Sequence, residues 1–279
     1  MADIERIAAS EAEGVWPLSI EAGWNQTVAD WRFMLAAGHG FGVRNASGRW
    51  EASSLVLPLG HRLAWISMVL VSKARRRGGL GTILLRRCIG EVKASGAIAG
   101  LDATEQGRPI YLPLGFHDLY SIARWHVAGA KEAPVDRTIR PLTQSDLAAV
   151  QAFDLALSDM ERPALLAHLA ARQPARAFVA EVAGRLRGFV LGREGRTASS
   201  IGPVIAESEE IALALIAKAA SAVAGPFIVD VPEAHGDIGR WLQAQGGASP
   251  RGYVRMTLGT AEKLGDPRHV FALAGPELG

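Results

Sequence analysis

A turn rich in arginine and glycine follows an apolar run and precedes a segment whose apolar residues have helical spacing. The run is Leu63–Val71, and the turn, residues 75–82, has the sequence Arg-Arg-Arg-Gly-Gly-Leu-Gly-Thr. Glycines lack a Cβ atom, so several backbone N–H groups can converge on one point. The first turn of the following helix adds unpaired N–H donors and the positive end of the helix dipole. Because the arginines add positive charge, the segment predicts a site for a phosphate-bearing ligand, above all a pyrophosphate.

The spacing of the glycines separates three kinds of phosphate loop. A P-loop requires a lysine after its last glycine, and this turn has none. The dinucleotide fingerprint requires a small residue at the position of Leu84. The pattern Arg76-x-x-Gly79-x-Gly81 instead resembles the acyl-CoA loop of the GNAT superfamily of N-acyltransferases, although Lys73 replaces the family's usual proline. A solvated basic turn is the alternative interpretation, since short motifs recur by chance.

A second motif lies at the distance that this family requires. GNAT proteins carry a helix that ends in Tyr-x-x-Leu-Gly-Phe, and residues 111–116 have this sequence, from Tyr111 to Phe116. Pro113 is a departure that we expect to tighten the end of the helix. With this motif the resemblance covers residues 2–127. It implies a mixed, twisted sheet with helices on both faces.

Composition excludes several other classes of protein. The chain has 279 residues, 49% of them hydrophobic and 21% charged, which suits two ordinary globular domains. Its one cysteine, Cys88, falls on an apolar helix face and excludes a disulfide framework. A net charge of +2, with basic residues concentrated around the turn, argues against a nucleic-acid partner. No signal peptide and no membrane span are predicted, so we expect no membrane partner and a cytoplasmic location.

The order of predicted elements in the first half recurs in the second half, offset by about 130 residues. After the turn-rich stretch 128–137 the sequence predicts strands at 138–141, 177–182, 186–191, 200–206, 227–231 and 252–258, and helices at 143–155, 209–223 and 238–245. We therefore predict an α/β (α+β) fold of two tandem GNAT-like domains. Their predicted bounds are 1–127 for the acetyltransferase domain, 128–137 for a linker, 138–260 for a degenerate copy and 261–279 for a C-terminal tail.

The second copy lacks the residues that would hold a phosphate. Residues 207–210, Glu-Ser-Glu-Glu, stand where the first copy has its glycines, and Leu242 stands in place of Tyr111. Acidic residues suit a helix N-terminus but repel a pyrophosphate. We therefore expect the second copy to form a scaffold or a wall of the amine site, and the chain to bind one CoA.

The family resemblance implies acetyl-CoA as the acyl donor and a catalytic role for Tyr111. The strand before the loop would diverge from its neighbour and offer backbone N–H groups to the thioester oxygen. Tyr111, a phenol of pKa ~10, would protonate the leaving thiolate. Its alternative role is that of a packed aromatic at a helix end. The implied acetyl-CoA contacts are Val69, Leu70, Val71, Arg76, Arg77, Gly78, Gly79, Leu80, Gly81 and Thr82.

The base and the amine site have weaker signatures. Asp102 or Glu105 could take the proton of the amine through a water molecule, although each could equally be structural, and solvent can also serve. Trp24 and Asn25 lie between two early helices, in a region that faces the acceptor in this superfamily. No Cys/His cluster has metal-ligand spacing, so we expect no metal.

The leading prediction is an N-acetyltransferase that moves an acetyl group from acetyl-CoA to a primary amine of a small molecule or peptide. Direct attack in a ternary complex is the expected mechanism, in a monomer or homodimer. Two alternatives stay open. One is a CoA-binding sensor or regulatory module that has lost catalysis, and the other is transfer of a longer acyl group.

Overall fold

The computed structural model describes residues 3–130, 136–259 and 267–279. The first half contains β1 Glu5–Ile7, α1 Ala12–Val15, α2 Pro17–Glu21, α3 Val28–Ala37, β2 His39–Arg44, β3 Trp50–Leu59, β4 Leu63–Val71, α4 Leu80–Ser95, β5 Ile98–Ala103, α5 Arg108–Tyr111 and β6 Phe116–Val127. The second half contains β7 Ile139–Pro141, α6 Leu147–Ser158, α7 Pro163–Arg172, β8 Phe178–Val182, β9 Arg185–Arg193, β10 Ser199–Ala206, α8 Glu209–Ser221, β11 Phe227–Pro232, α9 Gly236–Ala244, β12 Ala248–Leu258 and β13 Val270–Ala272.

The second half repeats the first, as the sequence predicts, and its strands and helices lie within a few residues of their predicted bounds. Two elements were missed. The α7 helix begins with Pro163, a residue that suits the first turn, and it buries Leu165, Leu166 and Leu169 at helical spacing. The β13 strand lies within the segment 261–279 that the sequence assigned to a tail; residues 261–266 of that segment, like 131–135 of the predicted linker, lie outside the described residues.

All these strands form one mixed sheet rather than two. The order is β1-β2-β3-β4-β5-β12-β6-β11-β10-β9-β8-β7, with β13 on β10. Each half contributes its last long strand to the other half, because β12 pairs with β5 while β6 pairs with β11. The two exchanged strands also pair with each other, antiparallel, at the centre of the sheet. The mixed α/β class is confirmed, and the two GNAT-like copies are joined by their hydrogen-bond ladders.

Three apolar clusters cover the two faces of this sheet. One lies between the sheet and α4, and a second lies between the sheet and α8. The third is shared by both copies, since it includes Trp31 of the first half, Phe189 of the second and Leu278 near the end of the chain. The segment assigned to a tail is therefore core: residues 270–274 are buried, and the Trp65 indole donates to the carbonyl of Pro276 at 2.9 Å.

Polar contacts also join the halves on this shared face. Thr27 and Asp30 form a capping box at the start of α3, with the Thr27 N–H donating to the Asp30 carboxylate at 2.6 Å. The same buried carboxylate pairs with Arg172 at 2.6 Å and with Arg193. Burial acts to raise the pKa of Asp30, but Arg193 and Arg172 outweigh it and hold the pKa below its usual value. This residue is thus both a helix cap and an anion shared between the copies.

Candidate active site

The predicted divergence of two parallel strands is present in the first copy. β4 and β5 pair only at their beginnings, from Leu63 with Ile98 to Trp65 with Gly100. Beyond Trp65 the edge of β4 that faces β5 pairs with no strand among the residues that the structure describes. A β-bulge follows, since Met68 has a φ of 53° and its carbonyl accepts the Ser53 hydroxyl at 2.9 Å. Residues Val69–Val71 therefore lie at an opening between the two strands.

The glycine-rich turn stands at the wide end of this opening and leads into α4. Gly79 is the N-cap residue, with a φ of 77° that only glycine adopts without strain. It has no side chain to cap the helix, and the first helical bond runs from the Ile83 N–H to the Gly79 carbonyl at 3.1 Å. The N–H groups of residues 80–82 therefore have no acceptor within the helix. The absent Cβ of Gly81 would lie 3.6 Å from Val71, so the start of α4 packs directly on the opening.

Charge at this turn comes from side chains that are largely exposed. Arg75 pairs with Glu51 at 3.4 Å, and the Arg76 guanidinium donates to the Val71 carbonyl at 3.3 Å. Arg77 has a φ of 64° and forms no hydrogen bond or ion pair within the described ranges. Positive charge, orphan N–H groups and a strained turn meet at one place, and together they fit a pyrophosphate.

Tyr111 lies at the end of α5 as its motif predicts, half-buried beside the helix α4. Its ring packs against Phe116 with 5.9 Å between centroids. The hydroxyl makes no hydrogen bond to any residue in the described part of the chain. Burial, with a smaller effect from the Cys88 thiol, raises the pKa of Tyr111 to about 12. The side chain is therefore a protonated phenol with a free donor at neutral pH.

The two predicted bases differ in their surroundings. Asp102 is not available, because the guanidinium of Arg255 donates two hydrogen bonds to its carboxylate, both at 2.9 Å, and both side chains are fully buried. The prediction for Asp102 is therefore corrected to a structural role. Glu105 is exposed in the turn before α5 and has no partner within the described residues.

The predicted substrate segment binds the second half of the chain. Asn25 donates to the Ala198 carbonyl at 2.9 Å and accepts the N–H of Thr197 at 2.9 Å. The carbonyl of Trp24 accepts the Arg196 guanidinium at 2.9 Å, while the Trp24 side chain packs on the shared core. Asn25 is therefore corrected from a substrate ligand to a link between the copies, because its amide is satisfied by the turn at 196–200.

The corresponding place in the second copy is built differently. β10 and β11 also pair only at their beginnings, Ser199 with Phe227 and Ser200 with Ile228. There the opening is filled by β13, which pairs with β10, while the next residue, Leu273, donates its N–H to the Asp230 carbonyl on β11 at 2.9 Å. The chain thus occupies the second opening with its own buried strand.

The start of α8 is also closed to anions. The Ser208 hydroxyl caps this helix by accepting the Ile211 N–H at 3.4 Å, and Glu209 and Glu210 follow in the first turn. Glu209 in turn accepts the N–H groups that begin α9, at 2.9 and 3.1 Å. Ser208 thus takes one of the donors at the start of α8, and the two acidic side chains of its first turn repel a phosphate.

Residues 3–130, 136–259 and 267–279 contain neither a metal-ligand cluster nor a helix that could span a membrane. No group of three or more potential ligands is placed to hold a metal ion, and His39 instead contacts Glu91 at 2.7 Å. In those same ranges no helix has the length and apolarity that a bilayer crossing requires.

Comparison with known proteins points to acetyltransferases of the GNAT type. Residues 150–272 match the model of the Acetyltransferase (GNAT) domain family. An uncharacterized N-acetyltransferase, YitH of Bacillus subtilis (strain 168), is 28% identical over 236 residues, which make up 84% of this chain and 83% of that protein. In sequence the chain is therefore similar to GNAT acetyltransferases. These two matches support acetyl transfer as its class of activity.

Solved GNAT structures show the same fold over nearly the whole chain. An acetyltransferase candidate from Pyrococcus horikoshii superposes with a TM-score of 0.81 at 19% identity, covering 99% of this chain and 95% of its own. A tandem GNAT protein from the clavulanic acid biosynthesis pathway superposes with a TM-score of 0.63 at 15% identity, covering 94% and 100%. The family model matches the second copy, whereas the open strands and the glycine loop belong to the first.

One residue of the site was not predicted from the sequence. Arg255, on β12 of the second copy, is fully buried against Asp102 of the first. A pattern that could have found it is the repeat itself, because Arg124 and Asp230 stand at the equivalent positions and also form a buried pair. Strand exchange, which brings Arg255 beside Asp102, leaves no mark in the local sequence.

Proposed function

We propose that this GNAT protein transfers an acetyl group from acetyl-CoA to a primary amine, and that the first copy alone carries the site. The observation that supports this most directly is the open divergence of β4 and β5, with the glycine loop and the uncapped start of α4 at its wide end. The second copy has the same divergence but fills it with β13. Among the described residues, the first copy therefore offers space and donors to a pantetheine chain and a pyrophosphate, whereas the opening of the second copy is occupied.

The residues of the opening divide the chemistry among them. Backbone N–H groups of residues 77–82 hold the pyrophosphate, and the unpaired edge of Val69–Val71 directs N–H groups at the thioester oxygen. The neutral amine attacks the thioester carbon, which forms the C–N bond and places negative charge on that oxygen. The C–S bond then breaks, and Tyr111 gives its proton to the thiolate. The proton lost by the amine passes to solvent, which later restores the phenol.

Raised pKa values support the assignment of Tyr111 as donor rather than base. At a pKa of about 12 the phenol is almost wholly protonated at neutral pH. The free hydroxyl also loses nothing when it turns toward the sulfur, since it has no hydrogen bond within the described residues to break.

Ligand-induced stabilisation tests acetyl-CoA binding. We expect acetyl-CoA to raise the melting temperature of the wild type through linkage. Gly79→Asp places a negative side chain at the N-cap and abolishes that shift. The matched control is Gly96→Asp, because Gly96 has nearly the same φ, 75° against 77°, and open space around it, but caps the other end of α4. If both variants keep the full shift, or lose it equally, the loop is not the acetyl-CoA site.

Release of free thiol from acetyl-CoA tests the transfer. A panel of polyamines, amino acids, aminoglycosides and peptides covers the main amine classes, and we expect at least one class to accelerate thiol release. Acetyl-CoA binding without any turnover across the panel would favour the CoA-binding sensor instead. The corrected role of Asp102 makes this test sharper, because it removes one of the two predicted carboxylate bases.

A further inference from the structure

We propose that Arg255 of the second copy is a positioning residue for the first-copy site, which it serves by fixing the point where β4 and β5 diverge. The proposal rests on the proposed function, since it concerns the opening that receives acetyl-CoA. It gives the second copy, whose own opening is filled, a defined part in the activity of the first.

The strand that carries Arg255 lies directly behind β5, which is one wall of the opening. β5 has β4 on one side and β12 on the other, and β12 pairs with it from Val254 opposite Ala103 to Leu258 opposite Ala99. β4 leaves β5 after Trp65, whereas β12 stays paired with β5 to its end. The second copy therefore holds β5 in place where β4 turns away.

The guanidinium of Arg255 contacts three strands at this point. Its two hydrogen bonds of 2.9 Å bind Asp102 on β5, and its carbon lies 4.5 Å from the centre of the Trp65 ring on β4. The ring of Tyr120 on β6 lies 5.5 Å away. Trp65 is the last β4 residue paired with β5, and Asp102 lies two residues beyond its partner Gly100, on the same face. One buried cation thus ties the last paired residue of β4 to the first free stretch of β5.

A bidentate pair restricts geometry more than a point charge does. The planar guanidinium binds both carboxylate oxygens in one plane and stacks on aromatic rings with its faces. With both side chains fully buried, no solvent can take over either partner. Loss of Arg255 would leave the Asp102 carboxylate unpaired and remove the cation that stacks on the Trp65 ring. The separation of β4 and β5 would then no longer be set.

The repeat provides an internal control for this effect. Arg124 on β6 donates to Asp230 on β11 at 2.7 and 2.6 Å, and both residues are buried. Its guanidinium lies 4.9 Å from the Tyr253 ring. The position equivalent to Trp65 is Ser200, which has no ring. The two ion pairs are alike in chemistry and burial, but the pair of Arg124 with Asp230 lies at the opening that β13 fills.

Calorimetry with two ligands separates positioning from general stability. Acetyl-CoA tests the loop and the opening together, whereas adenosine 3′-phosphate 5′-diphosphate lacks the pantetheine and tests the loop alone. For Arg255→Met in the full chain we expect the Kd of acetyl-CoA to rise about tenfold or more, and that of the nucleotide to change by less than about twofold. Arg124→Met should lower the melting temperature by a similar amount and leave both Kd values within about twofold of wild type.

Equal acetyl-CoA affinities in the two variants would overturn the proposal, and so would an equal loss of both ligands in Arg255→Met. If Arg255→Met does not fold, Asp102→Asn and Asp230→Asn repeat the comparison with side chains of the same size. Arg255→Lys restores the charge but not the two-point geometry, so we expect it to recover stability more than acetyl-CoA affinity. A wild type that binds neither ligand would refute the proposed function, which distinguishes that failure from failure of Arg255 alone.

Discussion

Replacement of Tyr111 by phenylalanine tests the central chemical step of the proposed function. Phenylalanine keeps the ring, its packing against Phe116 and its place at the end of α5, and removes only the hydroxyl. That hydroxyl has no hydrogen bond within the described residues, so its removal leaves no buried partner unsatisfied. We therefore expect the melting temperature and the Kd of acetyl-CoA to stay at their wild-type values.

The cost should fall on turnover. A positioned acid contributes about 10²–10⁴-fold to a rate, and Tyr111 is a protonated donor that packs in the same apolar cluster as Val69 and Val71. We expect kcat for thiol release to fall by about that factor, with KM nearly unchanged, because the proton is given only as the C–S bond breaks. Burial, together with Cys88, raises the pKa of Tyr111 to about 12, so the wild type should keep this donor protonated up to about pH 11. The rate should rise with pH as the amine loses its proton, with no fall from Tyr111 below that pH.

The assay follows free thiol under conditions where chemistry limits the rate, with the best amine of the panel. Tyr253→Phe is the matched control, since burial also raises the pKa of Tyr253 to about 12 but this residue lies in the second half beside Arg124. A Tyr111→Phe variant that turns over at the wild-type rate would remove Tyr111 from the mechanism. The raised pKa of Tyr111 would also be contradicted if the wild-type rate fell above about pH 8 and the Tyr111→Phe variant lost that fall.

Three further predictions concern the loop, the second copy and the contact between the halves. Gly79→Ala should lower the free energy of unfolding by about 1–2 kcal/mol, because alanine is strained at a left-handed N-cap. Gly81→Ala, inside the helix, should raise the free energy of unfolding by up to about 1 kcal/mol. Urea unfolding measures both changes, and a stabilising Gly79→Ala with a destabilising Gly81→Ala would contradict the backbone described for α4. Titration calorimetry should find one acetyl-CoA per chain, and two would mean that β13 leaves the second opening. Asp30→Asn should cost at most about 3–5 kcal/mol, because it removes the carboxylate that Arg172 and Arg193 share but leaves each of them one other carboxylate partner. Since the folded-state pKa of Asp30 is lowered, its stabilisation is complete above about pH 4 and is lost as pH falls further; an acid-unfolding profile unchanged in the variant would refute this.

Features whose cause is local could be predicted from the sequence alone. The glycine loop depends on backbone freedom at Gly79 and on the N–H donors of the helix that directly follows it. All the residues that form the loop are therefore neighbours in the sequence. The capping boxes at Thr27 and Thr143 are of the same kind, as each needs an acidic residue only three positions away. The repeated order of strands and helices can also be predicted from the sequence, because it follows from the periodicity of apolar residues.

Features that depend on strand partners could not be predicted. A strand's sequence shows which of its faces is buried, but not which neighbour it pairs with. The exchange of β6 and β12 could therefore not be predicted, and neither could the ion pair between Arg255 and Asp102 that depends on it. Without that pair, the position of Asp102 at the end of a strand suggested a catalytic base. Asn25 was misassigned for the same reason, since its amide is satisfied about 170 residues further along the chain, as in its bond to Ala198.

The filled second opening shows the division between sequence and structure most clearly. Residues 207–210 predict that the second copy has no phosphate site, because their negative charges repel a phosphate. That argument does not depend on which other elements pack nearby. The occupant of the opening, β13, is a segment of three residues too short to predict as a strand. Backbone groups of β13 pair with β10, and the N–H of the next residue, Leu273, bonds to β11. These bonds form only because the folded sheet leaves a gap between β10 and β11. The sequence therefore predicts a phosphate site in the first copy and none in the second. Which opening stays free follows only from the tertiary structure, because free space depends on how several strands pack together.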